Sequence, residues 1–235
     1  MLHSLNDLLN CSAKVQDTSF TLKNAFFSLE ERQLDYLALD VGTWLQSDLA
    51  LISTRLISDV SLSTGLVTLN TCAEDIKAAP NWQDGSSSLL EVLPPIIIGP
   101  LGNTISPMMI AAILENDNAH RTSGAAYIDG LLDFTSFVGL DVFGKDGELG
   151  RAKDILFDAS SLSVTHIVVR SSQGMVENAH IIPIEKLRYK AAQETHLVLD
   201  LTTVELENAP RLSLADAPED QRIADLRKYY ELPIV

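Results

Sequence analysis

Phe20-Thr21-Leu22-Lys23-Asn24-Ala25-Phe26-Phe27, followed by Leu34-Asp35-Tyr36-Leu37-Ala38-Leu39, decides the fold, because the same apolar pattern returns 130 positions later. The first occurrence continues at 67–80, and the second runs through 150–157, 164–169 and 197–210. Identical pairs such as Lys23 and Lys153 are few, so the argument rests on the shared pattern of apolar residues. This periodicity predicts two copies of one small module.

Within each copy the apolar residues alternate, as they do in half-buried antiparallel strands. Asp146-Gly147 separates two such segments of the second copy and is a strong hairpin signal, because glycine accepts a positive φ. The first copy has Asp17-Thr18-Ser19 there, which predicts a looser or longer turn. Each copy then ends in a short helix before a proline, at 72–79 and 202–209.

These patterns predict a mainly β protein made of two small antiparallel β-barrels with short helices, an apolar connector and a C-terminal helix. The expected ranges are 1–80 for the first repeat, 81–130 for the connector, 131–210 for the second repeat and 211–235 for the tail. Each barrel is expected to need no strand from the other copy, although a tandem repeat allows exchange.

The connector is strongly apolar over 89–114 but is interrupted by several prolines and glycines, so it does not read as a membrane-spanning helix. Ser106 before Pro107 favours the start of a helix over 107–115. Because so apolar a segment requires cover, we expect it to form the core between the barrels and to extend into a homodimer contact.

The tail has the features of an amphipathic helix. An acidic, proline-led start at 217–220 precedes Ile223, Leu226 and Tyr230, which recur at helical spacing. We expect the helix to pack through that stripe, either as a lid on a barrel or as a docking element for a partner.

The charge of the 235-residue chain restricts its partners. Its 17 Lys and Arg against 32 Asp and Glu give a net charge of −15, which disfavours nucleic acid and anionic lipid surfaces. The densest basic cluster, 186–190, reads as a solvated turn. The first ten residues do not resemble a secretory signal, and Cys11 and Cys72 show no metal-like spacing, so we expect a reduced, cytoplasmic protein.

The order of motifs in the second copy resembles the PRC-barrel family. The resemblance rests on Val142 to Gly150, Lys153 to Asp158, Thr165 to Val169, Ile181 to Ile184 and Leu199 to Thr202. In the first copy, Leu34 to Leu45 and Leu51 to Ser53 are similar to bacterial tandem PRC-barrel proteins. The resemblance implies the small β-barrel also found in the cytoplasmic part of the reaction-centre H subunit. It also implies a module that binds other proteins and has no enzymatic activity.

The histidines are the main candidates for an active site: His3, His120, His166, His180 and His196. His166 and His180 alternate with apolar neighbours, which predicts outward, solvated imidazoles, and no spacing typical of a metal or catalytic motif links the five. The acidic residues Asp146, Glu148, Asp154 and Asp158 are spaced as turn and strand residues. We therefore expect no catalytic, cofactor-binding or metal-binding residues.

Two classes of function remain open. The first is a non-enzymatic interaction or scaffold module that contacts another protein or a second copy of this chain. The alternative is a small-molecule-binding or catalytic β-barrel. A metabolite that raises the melting temperature would favour the alternative, since a ligand bound only by the native state stabilises it.

Overall fold

The computed structural model describes residues 2–42, 49–78, 81–82, 131–171, 179–190, 196–210 and 220–233. The protein is mainly β, with two curled sheets, one of which is a half-barrel. The chain divides into two compact units, one made of Met1–Asn6 with Phe134–Val235 and the other of Asp7–Asp133.

The elements of the first repeat are, in chain order, β1 (Leu2–Ser4), α1 (Leu5–Leu9), β2 (Ser12–Val15), β3 (Thr18–Ser28), β4 (Gln33–Asp40), β5 (Leu49–Ser53), a 3-10 turn (Thr54–Leu56), β6 (Ile57–Ser61), β7 (Leu66–Leu69), α2 (Ala73–Ala78) and β8 (Asn81–Trp82).

The second repeat and the tail continue with β9 (Leu132–Asp133), α3 (Phe134–Phe137), β10 (Asp141–Phe143), β11 (Glu148–Asp158), β12 (Val164–Ser171), β13 (Ala179–Pro183), a 3-10 turn (Ile184–Lys186), β14 (Leu187–Lys190), β15 (His196–Leu199), α4 (Thr203–Asn208) and α5 (Asp220–Tyr229).

The two repeats have the same order of elements, as the sequence predicted. The long strand β3 begins at Thr18 and β11 at Glu148, 130 positions later, and both contain 11 residues. The helices that close the repeats, α2 and α4, begin at Ala73 and Thr203 with the same offset.

The described strands form two sheets with the same topology. One has the order β13-β12-β11-β10-β15-β14, and the other has the order β6-β7-β2-β3-β4-β5-β8. The pairs β10–β15 and β2–β7 are parallel, whereas the other pairs are antiparallel. In each sheet the long central strand, β11 or β3, therefore holds its neighbours in place.

The repeats exchange their first strands, so the expectation that each copy builds its sheet from its own strands is wrong. β1 pairs with β11, with His3 opposite Phe157. β9 pairs with β3, with Leu132 opposite Phe27. The N-terminal residues expected in the first repeat thus belong to the unit of the second.

A buried polar residue lies beside each exchanged strand. Asn24 and Asp154 follow register shifts of β3 and β11 and are only 4% and 5% exposed. Each accepts a hydrogen bond from the next backbone N–H, that of Ala25 at 2.9 Å or that of Ile155 at 2.8 Å. A buried polar group needs hydrogen-bond partners, and the exchanged strands supply further ones.

Asp154 accepts bonds from the Ser4 hydroxyl at 2.5 Å and from the Asn6 backbone N–H at 3.1 Å. The Asn24 side-chain amide donates to the Asp133 carboxylate at 3.1 Å. The two exchanges therefore use different polar pairs at equivalent positions.

The cores are apolar and centred on the long strands. Phe27 and Phe157, which are equivalent, are fully buried, as are Leu37 and Ile167 of the neighbouring strands. Alternation is lost in the second half of β3, where Ala25 to Ser28 are all buried. This segment pairs with β4 along one edge and with β9 along the other, so its backbone is held on both sides there.

The hairpin predicted at Asp146-Gly147 is present between β10 and β11, but the stated role of Gly147 is wrong. Gly147 has no positive φ, and a Cβ there would meet no atom within 4 Å. The steric demand falls on Gly150, with a φ of 142°, where a Cβ would lie 2.0 Å from the carbonyl oxygen of Arg170. The close approach of the β12 backbone therefore requires glycine at position 150, two residues after β11 begins.

The first hairpin is also tighter than predicted. Val15 pairs directly with Thr18, so Gln16 and Asp17 form a two-residue turn. Gln16 takes a φ of 53° and supplies the left-handed conformation that was expected to need glycine. The expectation of a looser turn is therefore wrong.

The helices at the ends of the repeats and the tail are confirmed. Thr202 caps α4 with a capping box: the Thr202 side chain accepts from the backbone N–H of Glu205, and the Glu205 side chain accepts from the backbone N–H of Thr202. In the tail, α5 packs through Leu226, and Tyr230 just after it is also buried. Among the described helices, none is long and apolar enough to cross a membrane. The predicted connector helix at 107–115 lies outside the described residues.

Candidate functional site

The histidines of the second repeat do not converge on one site. His166 and His180 are each only 2% exposed, so the expectation of outward, solvated imidazoles is wrong for both. His180 pairs with Val169, and residues 166 and 169 are three apart along β12, so the two histidines lie on opposite faces of the sheet. His196 lies on β15, which does not adjoin β12 or β13. His120 lies outside the described residues.

His166 belongs to a buried polar group that the sequence reasoning missed. Its Nδ1 lies 2.9 Å from the hydroxyl of Thr165, and its Nε2 is buried with no partner among the described residues. Burial lowers the pKa of His166 to about 4, with nearby Glu185 opposing the shift and Arg227 adding to it. The imidazole is therefore neutral at pH 7.

The tail helix supplies the cation of this group. Arg227 of α5 donates to Glu185 of the 3-10 turn at 3.1 Å, with side chains 13% and 26% exposed. Arg227 also donates through Nε to the carbonyl of Pro233 at 2.8 Å. The second oxygen of Glu185 is buried without a partner among the described residues.

Tyr230, the residue after α5, lies beside the same 3-10 turn as Glu185, where its ring faces Lys186. Burial raises the pKa of Tyr230, and its hydroxyl has no partner among the described residues. The ammonium of Lys186 lies 5.8 Å from its ring centroid. We call His166, Glu185, Arg227 and Tyr230 the tail cluster. In the described part of the chain, one buried polar atom on each of His166, Glu185 and Tyr230 is unsatisfied, and an ordered water or a small polar molecule is what satisfies such atoms.

A second feature is the outer face formed by β10 and β15. Phe143 is 37% exposed and packs edge-on against His196, with ring centroids 5.5 Å apart. Phe143 is opposite Val198 in the register, and both Val198 and His196 are half-buried. We call Phe143, His196 and Val198 the β10–β15 face.

Ion pairs surround the β10–β15 face. Arg151 binds Asp141 at 3.2 Å, and Lys145 binds Asp200 at 3.1 Å. The Asp200 carboxylate also lies 3.7 Å from Arg188, which belongs to the basic cluster of the sequence. An exposed aromatic residue within a charged rim is a composition common in protein interfaces.

Among the described residues, the large exposed hydrophobic ones all lie in the second repeat. The large exposed hydrophobic residues in the described part of the chain are Val138, Phe143 and Val204, at 44%, 37% and 60%. The equivalent of Val204 in the first repeat is Glu74, and the equivalent of Phe143 is Lys14, as the matching registers of β2–β7 and β10–β15 show. The two repeats thus present different chemistry at the same positions of one fold.

The turn beside the β10–β15 face is fixed in place. Asp146 accepts bonds from the backbone N–H of Thr203 at 2.8 Å and from its hydroxyl at 2.9 Å. These bonds lower the pKa of Asp146. At Gly144 a Cβ would lie 2.5 Å from the carbonyl oxygen of Leu201. Phe143 and Val204 therefore lie on two segments that the turn ties together.

The other acidic residues and the cysteines are accounted for by their places in strands, turns and helix ends. Asp154 holds β1, and Asp158 accepts bonds from Ser160 and Ser161 in the β11–β12 turn. Within the described ranges, no group of three potential metal ligands lies close enough to hold an ion. Cys11 is buried, which raises the pKa of its thiol, and Cys72 precedes α2 where Thr202 caps α4.

A sequence signal did exist for one missed feature. Asn24 and Asp154 are polar residues at equivalent positions of an otherwise apolar strand half.

No protein-family model matches this chain, and no curated protein matches it.

Proposed function

We propose that this chain is a non-enzymatic interaction module of two PRC-type barrels, and that the β10–β15 face is part of its contact surface. The observation that carries the proposal is Phe143. An exposed aromatic side chain, already positioned by His196, loses little conformational freedom on binding and buries a large apolar area.

The difference between the repeats supports this assignment. Lys14 and Glu74 show that the fold accepts charged residues at these positions, so packing does not require Phe143 and Val204 to be apolar. Apolar side chains that the fold does not need and that water disfavours are typical of a binding surface. The net charge of −15 favours a protein partner with a basic rim around an apolar centre.

A photo-crosslinking amino acid at position 143 tests the proposal, with the same group at the matched exposed position 14 as the control. We expect protein crosslinks from position 143, and we expect Val204→Glu in the same chain to abolish them. Crosslinking of the purified protein alone distinguishes self-association from binding of a different partner. Equal labelling from positions 143 and 14 contradicts the proposal.

The tail cluster favours the alternative, a small-molecule-binding barrel. Its three buried polar atoms without partners, in the described part of the chain, include an imidazole nitrogen, a carboxylate oxygen and a hydroxyl. A metabolite screen followed by thermal denaturation tests it. A compound that raises the melting temperature of the parent chain but not of His166→Gln supports this alternative, because binding to the native state alone stabilises it.

A further inference from the structure

We propose that the edge of β11 around Asp154 is a strand-acceptor site that takes residues 2–6 from a second copy of this chain as well as from its own, giving a strand-exchanged dimer. This inference is independent of the proposed contact surface, which uses β10 and β15. The first observation is that β1 comes from a distant part of the chain: Ser4 of β1 is bound by Asp154, which lies 150 positions later.

The acceptor edge recognises its occupant through backbone and side-chain groups together. β1 adds to the end of β11 in antiparallel register, from Leu2 opposite Asp158 to Ser4 opposite Leu156. Asp154 then binds the Ser4 hydroxyl and the Asn6 N–H, and Leu5 is fully buried. This is strand addition with a specific polar anchor and an apolar anchor next to it.

The polar pairs select which strand each sheet accepts. Asp133 holds the position on β3 that Ser4 holds on β11, because Asp133 is opposite Phe26 and Ser4 is opposite Leu156. If β9 paired with β11 instead, Asp133 would lie beside Asp154, and two carboxylates would share a site where Asp154 is 5% exposed. That arrangement is costly, so β11 is selective for β1.

The same contacts form whichever copy supplies residues 2–6. The division between the units falls between Asn6 and Asp7, so β1 joins one unit while the chain directly after Asn6 belongs to the other. Exchange between copies repeats every β1–β11 contact and alters the chain only at the division between the units, which falls within the short helix α1, so α1 has to open as the hinge of the swap. The strand of the same chain has the advantage of effective concentration, so dimers are expected to increase with protein concentration during refolding.

The test uses single-cysteine variants of the full chain that carry Cys11→Ala and Cys72→Ser. One chain has Leu2→Cys and the other has Asp158→Cys, its register partner. The two are unfolded together in urea, refolded at high concentration and oxidised, and mixed disulfides are mapped by mass spectrometry. The control replaces the second chain by Ser28→Cys, which is the equivalent position on β3 and, like Asp158, accepts a turn N–H.

We expect about fivefold or more mixed disulfide between positions 2 and 158 than between 2 and 28, because only β11 carries the matching anchor. Equal yields, or background in both, overturn the proposal. The variant with both Leu2→Cys and Asp158→Cys should form an intrachain disulfide at low concentration. If it does not, β1 does not pair with β11, and the proposal fails for that reason.

Discussion

The hydroxyl of Ser4 donates a hydrogen bond of 2.5 Å to the carboxylate of Asp154, a residue 150 positions later in the chain. The equivalent contact on the other sheet joins Asn24 to Asp133 at 3.1 Å. The polar groups differ between the two contacts, so each can be altered separately.

Asn24→Asp should destabilise the fold. The new carboxylate would still accept the Ala25 N–H, but it would face Asp133 as a like charge in place of a donor. We expect a loss of about 2 kcal/mol at pH 7, measured by urea denaturation. Adding Asp133→Ser should restore most of the stability, because it recreates the pairing of Asp154 with Ser4. No rescue would contradict the role assigned to this contact.

Ser4 and Asp154 should be coupled energetically. We expect Ser4→Ala, Asp154→Ala and the double variant to give an interaction energy of about 2 kcal/mol, since a bond to a buried carboxylate is stronger than a neutral one. Urea denaturation of the four proteins measures it. Ser28→Ala with Asp154→Ala is the control pair, with one residue in each unit, and we expect its effects to add.

Stability should fall as pH decreases from 6.5 to 4 because of His166. Its pKa is about 4 in the fold and 6.5 in an unperturbed histidine, so the unfolded chain binds the proton first as pH falls. The loss should reach about 3 kcal/mol and should not grow below pH 4. Chemical denaturation across this range measures the effect.

His166→Gln is the control for this pH dependence, because Asp35 acts in the opposite direction. Burial, with Glu31 adding to it, raises the pKa of Asp35 to about 6, so protonation of Asp35 stabilises the fold as pH falls. The difference between the parent and His166→Gln isolates the histidine. Parallel curves would contradict its burial as a neutral group.

Removing the hydroxyl of Tyr230 should cost nothing. This group is buried with no partner among the described residues, so Tyr230→Phe should leave stability unchanged or raise it by up to about 1 kcal/mol. Leu226→Ala, in the preceding helix α5, should cost about 2 to 5 kcal/mol because Leu226 is fully buried. A large loss in Tyr230→Phe, seen by thermal denaturation, would reveal a bonded hydroxyl and support a ligand or water in the tail cluster.

The β10–β11 hairpin should tolerate Gly147→Ala and not Gly150→Ala. At Gly150 the added carbon would lie 2.0 Å from a backbone oxygen at a positive φ, whereas the space at Gly147 is open. We expect a loss of about 3 kcal/mol or more for Gly150→Ala and of less than about 0.5 kcal/mol for Gly147→Ala. Comparable losses in denaturation midpoints would contradict this assignment.

The sequence was sufficient for the order of the elements and insufficient for their pairing. The apolar period located β3 and β11 and the helices that end at Asn208 and Tyr229, because burial of one face imposes that period. The same pattern occurs in both copies, so it cannot say which copy accepts β1. Only the side chains at positions 4, 24, 133 and 154 carry that information.

The tail cluster was missed for a different reason. Alternation with Ile167 was interpreted as an outward His166, but Val164 and His166 to Val169 are all buried. When both faces of a strand are covered, parity no longer separates core from solvent. The charged neighbours of His166 are residues 185 and 227, at sequence distances that no local pattern connects.

The exchange of first strands also bears on symmetry. A dimer of identical chains shows each of its surfaces twice, so a residue that turns one surface into a binding site creates a second site on the other subunit. Here both copies of the module belong to one chain, and each completes the sheet of the other. Lys14 and Phe143 can therefore differ while the shared architecture stays intact, and a single molecule gains one charged surface and one apolar surface from the same fold.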